Sequence, residues 1–187
     1  MKKTILIFLV ALLAGTAQAE LTRGEMAQRV TQFMDSWRSD GKIWTARYEG
    51  ADGRGNVFLQ YPGRSAFYPD RGQAVLSDGV SVKRYSGTNV VQTTPLEEYF
   101  YWPLIQGEIG KSLVIEMLAN EKINFFGFEK DTVVVDLATD DSKGKVHHMR
   151  LYLSATGEPT IYRVDDEWLR DFRRVSPKKN PFKKDIL

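Results

Sequence analysis

The sequence predicts one α+β domain dominated by antiparallel sheet. Three observations carry that expectation. A capped, amphipathic segment lies close to the start of the chain. Short alternating apolar runs follow it, broken by Gly, Pro, Asn and Asp turns roughly 8–12 residues apart. The chain has 187 residues, 42% hydrophobic and 27% charged. That suits a single packed core and argues against a disordered chain.

The first segment reads as a leader. Met1-Lys2-Lys3 is basic, Thr4 to Leu13 is almost wholly apolar, and Ala17-Gln18-Ala19 puts small residues ahead of Glu20. This is the three-part order of a secretory signal, and its apolar run is shorter than the roughly 20 residues that span a bilayer. Residues 1–19 are therefore expected to be cleaved and residues 20–187 to form the domain. The formal charge of +2 belongs to Lys2 and Lys3, so the mature chain balances at 24 basic and 24 acidic residues. That neutrality gives no reason to expect a nucleic-acid partner. The absence of Cys excludes disulfides, thiolate metal sites and a lipid-modified N-terminal Cys. A bacterial periplasm suits a secreted chain that must hold itself by its core alone.

Thr22-Arg23-Gly24-Glu25 has the form of a capping box. Met26, Val30, Phe33, Met34 and Trp37 then fall on one helical face, predicting a helix over 23–38 that ends near Asp40-Gly41. From Ile43 the period changes to two. Trp44, Ala46 and Tyr48 alternate, and runs at 56–61, 65–68, 73–76, 80–85 and 89–94 follow between turns. Pro95 is expected to open a short helix through Trp102. Ile109, Leu113 and Met117 have helical spacing and predict a second helix over 110–119. Strand patterns return at 122–128, 132–138, 146–154 and 160–165. Residues 168–175 read as one more strand or a short helical piece. The end is basic from Arg170 to Lys184, and reads as a solvated tail or as a surface for anionic lipid or an acidic partner.

Catalytic motifs are sparse. His147 and His148 are adjacent, and neighbours on a strand point to opposite faces, so they read as ordinary polar residues and not as a metal pair. Elbow, zincin, phosphate-loop and dinucleotide patterns are missing. The acidic groups at 140–141 and 165–167 look like loop acids. The expectation is a non-enzyme with no cofactor and no metal site. A hydrolase on an unrelated β fold is the competing class.

Aromatic residues are the stronger signal. Of 22 in the chain only Phe8 lies in the leader, and Tyr99-Phe100-Tyr101-Trp102 are consecutive. They form either a dense core or the lining of a cavity, since small barrels and half-barrels can enclose ligands.

The order of motifs from about Gly55 to Leu104 resembles the periplasmic outer-membrane lipoprotein carrier family, the LolA-like proteins. The stretch Phe58-Leu59-Gln60-Tyr61-Pro62-Gly63-Arg64-Ser65-Ala66-Phe67-Tyr68 matches that family's strand, Pro-Gly-basic turn and aromatic strand. Val75-Leu76-Ser77-Asp78-Gly79, the strand ending at Tyr85, Thr93-Thr94-Pro95-Leu96-Glu97-Glu98 and Trp102-Pro103-Leu104 follow in the family's order. The capped helix behind the signal also fits.

The resemblance implies an unclosed antiparallel β-barrel, or half-barrel, with helices forming a lid over a hydrophobic cavity that takes acyl chains. It implies a monomeric carrier of lipoproteins, loaded by an inner-membrane ABC exporter and unloaded at an outer-membrane receptor. The alternative is a protein of the same fold that binds another lipid, or serves as a sensor or interaction domain. The implied lid residues are Met26, Val30, Phe33, Met34 and Trp37, with Tyr99, Phe100 and Trp102. The implied wall residues are Trp44, Tyr48, Phe58, Tyr61, Phe67, Tyr85, Phe126 and Phe128. The family commonly has an Arg before the turn proline that hydrogen-bonds to the lid. Tyr61 stands there in this chain, so Tyr61 and Arg64 are the latch candidates, and Ser65 stands where a bulky apolar residue is usual.

Overall fold

A computed structural model describes residues 22–39, 42–96, 114–120, 132–140, 146–176, 178 and 180–183. The expected leader lies outside these residues. So do Tyr99, Phe100, Trp102, Phe126 and Phe128, the strand expected at 122–128 and nearly all of the helix expected after Pro95.

One α-helix stands among the described residues. α1 (Arg23–Arg38) has the expected boundaries. The Thr22 hydroxyl accepts from the Glu25 N–H at 3.2 Å, and the Glu25 carboxylate accepts from the Thr22 N–H at 2.8 Å. These reciprocal bonds satisfy two donors that a helix start leaves orphaned. At the other end Ser39 closes the helix, its N–H donating to the Asp35 carbonyl.

Among the described residues, eleven strands form one antiparallel sheet. They are β1 (Ile43–Gly50), β2 (Gly53–Gln60), β3 (Arg64–Pro69), β4 (Ala74–Asp78), β5 (Ser81–Ser86), β6 (Asn89–Pro95), β7 (Val114–Asn120), β8 (Thr132–Asp140), β9 (Val146–Leu153), β10 (Pro159–Val164) and β11 (Glu167–Val175). Their order across the sheet is β6-β5-β4-β3-β2-β1-β11-β10-β9-β8-β7. Two meanders therefore meet where β1 pairs with β11, joining the early and late parts of the chain. Among the described residues β6 and β7 end the sheet without pairing to each other, so it is unclosed. This agrees with the expected α+β class and with a half-barrel.

One expectation needs correction. Residues 114–120 are not helical. They form β7, paired with β8 from Val114 opposite Ala138 to Asn120 opposite Thr132. Spacing within the segment fits a helix, but a full ladder with a strand further along the chain satisfies the same backbone and fixes the outcome. Pro95 itself ends β6 opposite Ser81, where a residue without an N–H is tolerated at a strand terminus. Leu96 directly after it is helical, and the rest of the helix expected there lies outside the described residues.

α1 packs on one face of the sheet, over β7, β8 and β9. That inner face holds the main core, which joins Met26, Phe33 and Trp37 of the helix to strand residues from β1 to β5 and from β8 to β11. The outer face carries charged pairs and one small apolar cluster of Val134, Tyr152 and Ile161, with Trp168 against it.

Candidate functional site on the helix-covered face

The inner face is built by strict alternation. Trp44, Ala46 and Tyr48 on β1 stand beside Val57 and Leu59 on β2, Phe67 on β3 and Val75 on β4, all buried. Across the β1–β11 seam Leu169, Tyr162 and Leu151 continue the same row. Leu169 lies opposite Tyr48, Tyr162 opposite Leu169, and Leu151 opposite Tyr162.

The helix side chains fill the space over this surface. Trp37 stacks on Trp44 with ring centroids 5.8 Å apart, and Phe33 leans on Trp37 at 5.7 Å. Trp37 and Phe33 are each only 1% exposed. Val30 and Met34 are half-buried against the same cluster. All five helix residues singled out in the sequence therefore meet the inner face. Gly157, in the β9–β10 turn, lies against the helix backbone, where an added Cβ would sit 3.3 Å from the Arg29 carbonyl oxygen.

The wall residues divide by register. Trp44, Tyr48 and Phe67 line the inner face, with the Tyr48 and Phe67 rings edge to face at 4.8 Å. Tyr61, in the turn after β2, packs against the core from its margin. Phe58 and Tyr85 are on the outer face instead. Phe58 pairs with Ala66 and contacts the Tyr68 ring, and Tyr85 pairs with Ala74. A strand reverses its side chains every residue, so aromatic identity alone does not select a face.

Arg64, one of the two latch candidates, also faces outward. Its guanidinium donates to the Gln60 side chain at 3.2 Å and lies 4.7 Å from the centre of the Phe182 ring. Arg64 thus holds the end of the chain to the outer face and lies on the opposite side of the sheet from α1. Near it the Tyr68 hydroxyl donates to the Pro181 carbonyl at 2.6 Å. Ser65, its neighbour, is fully buried on the inner face.

Polar groups mark both ends of the inner face. At the Trp44 end, Arg174 sits opposite Trp44 on β11, with its guanidinium 4.9 Å from the indole centre. Arg174 also donates to the Ser36 hydroxyl at 2.8 Å and pairs with Glu158 at 3.1 Å. At the Tyr48 end, the Asp52 N–H donates to the Tyr48 hydroxyl at 3.2 Å, and the Glu167 carboxyl hydrogen-bonds to the same hydroxyl. Burial pushes the Glu167 carboxyl and the Tyr48 phenol upward. Asp52 in turn pairs with Arg84 at 2.7 Å, tying this end to β5.

Beyond Glu167 opens a cleft of about 550 Å³ lined by Glu49, Gly50, Ala51, His147, Val164, Asp165 and Asp166. His147 meets the Asp165 carboxylate at 3.0 Å. Among the described residues no three His, Asp or Glu side chains are placed to hold one metal ion.

The inner face also holds Val57, Leu59, Val75, Val82, Met149, Leu151, Leu153, Tyr162 and Leu169, which are not among the site residues expected from the sequence. Alternation at 149, 151 and 153 is the sequence signal for them, and it is independent of aromatic size. What the face offers chemically is apolar contact area bounded by polar ends, which suits binding. Comparison of the chain with protein-family models and with curated proteins gives no match.

Proposed function

We propose that this protein is a periplasmic carrier, similar to the LolA-like proteins, that binds lipoprotein acyl chains on the inner face beneath α1. In this reading α1 is the lid. The observation that carries it is the seating of one Met- and aromatic-rich helix face on the apolar side of an unclosed sheet. Each CH₂ withdrawn from water contributes roughly 0.8 kcal/mol, so an acyl chain crossing an aqueous compartment needs such a surface. The side chains of α1 now occupy it, and they have the same apolar character as the chain that would replace them. Exchange of one for the other gives a lid with two states of similar free energy, which binding requires if release is to follow. Met26 and Met34 suit that exchange because their unbranched side chains repack readily.

The reading also holds that residues 1–19 direct export, that the carrier acts as a monomer, and that a membrane exporter loads it and an outer-membrane receptor unloads it. It assigns no catalytic step and no cofactor. Mass spectrometry of material co-purified from periplasm tests it: acylated lipoprotein bound to the protein is the expected result. Recovery of free lipid alone would favour the same fold serving another lipid. Depletion of the protein should leave lipoproteins in the inner membrane, and unaltered sorting would overturn the carrier assignment.

A further inference from the structure

The indole N–H of Trp44 is buried and has no hydrogen-bond acceptor among the described residues. Trp44 itself is only 2% exposed. Buried donors are nearly always paired, because an unpaired one has lost its water and gained nothing. This donor also lacks an easy escape. Trp37 stacks on its ring and the Arg174 guanidinium lies over it, so the indole is held by its neighbours.

We propose that the Trp44 N–H binds the carbonyl oxygen of an ester or amide at the head of an acyl chain. The inference rests on the acyl-binding reading above and deepens it, since it assigns where the head of the chain lies. The neighbourhood selects the acceptor. Arg174, the cation beside the indole, already faces Glu158 and the Ser36 hydroxyl, so the donor on offer is neutral and matches a neutral carbonyl. Position agrees as well. Trp44 stands near the start of β1 among polar neighbours, and the apolar row from Leu59 through Val57 and Phe67 leads away from it toward Tyr48. A chain lying along that row with its carbonyl at Trp44 keeps its hydrocarbon on the apolar surface. A rigid donor that is unsatisfied before binding discriminates well, since it gains a partner only from a ligand that carries one.

The test uses 1-palmitoylglycerol and its ether analogue 1-O-hexadecylglycerol, which have equal chain length and differ at the carbonyl. Isothermal titration of the wild-type protein should show the ester bound about tenfold more tightly. Trp44→Phe, which keeps an aromatic ring and removes the N–H, should abolish that preference while still binding both lipids. The indole ¹H–¹⁵N resonance lost in Trp44→Phe should move downfield in the wild type on adding the ester and far less on adding the ether. Equal binding of the two lipids by wild type, or a preference that survives in Trp44→Phe, overturns this inference and leaves the acyl-binding surface standing. Binding of neither lipid overturns both.

Discussion

The two faces of one sheet live in different solvents. The inner face is a continuous apolar surface under α1, and its few polar groups sit at the ends. The outer face is held by ion pairs, including Arg47 with Asp70 and Glu49 shared by Arg54 and Arg170, and by the chain end at Pro181 and Phe182. The same strands supply both, since successive residues point opposite ways. The lesson is that one face of the sheet carries most of the stability and the other carries charges that add little. Exposed ion pairs typically contribute about 0–1 kcal/mol each, against 3–5 kcal/mol for deleting a buried Trp or Phe.

Substitutions can break this contrast at either face. The largest effect should come from Trp37→Ala, which empties the space over Trp44. Chemical denaturation should show a loss of about 3–5 kcal/mol, and an unchanged midpoint would mean that α1 does not belong to the core. Gly55→Val comes next. A Cβ at Gly55 would lie 2.6 Å from the Pro69 Cα and against the Tyr68 carbonyl, so backbone must shift. The expected cost is about 1–3 kcal/mol, read from the same denaturation curve, and wild-type stability would show that β2 and β3 separate more easily than their register implies. On the outer face Tyr68→Phe removes the bond to the Pro181 carbonyl. About 0.5–1.5 kcal/mol should be lost, together with faster proteolysis of the chain end.

The two faces also shift carboxyl groups in opposite directions, and pH sharpens the comparison. Glu167 is raised from its ordinary value of 4.5, first by burial. Its neutral form favours the fold, so its contribution is complete below pH 4.5 and fades as pH rises through the folded value. Glu167→Gln should therefore gain stability relative to wild type as pH climbs past 4.5. Asp78 is lowered from 3.8, chiefly by the Ser81 N–H, with burial opposing and Lys83 and the Val80 N–H adding to the shift. Its contribution is present above 3.8 and is lost as pH falls through the folded value. Asp78→Asn should flatten the acid limb of the stability profile. Exposure of Asp78 makes this the smallest of the effects, and an unchanged acid limb would remove Asp78 from the account.

Local chemistry made part of this molecule legible. The capping box and the Met26-to-Trp37 spacing place α1, because a helix start is decided by bonds among neighbours. The hairpins from β1 to β6 were legible for the same reason: their turns at 51–52, 61–63 and 87–88 lie between strands that pair with each other. β7 reads as helical from its own spacing because its deciding partner lies beyond the segment itself. Phe58, Tyr85 and Arg64 read like inner-face residues because residue type carries no information about face.

The sequence by itself determined the helix, the alternation, the antiparallel class and the apolar character of one surface, all set by contacts a few residues apart. Only the tertiary structure decided that β1 pairs with β11, which strand face meets α1, and that the Trp44 N–H is left unpaired. Those follow from register and from packing between distant segments, where a shift of one residue would turn every side chain over.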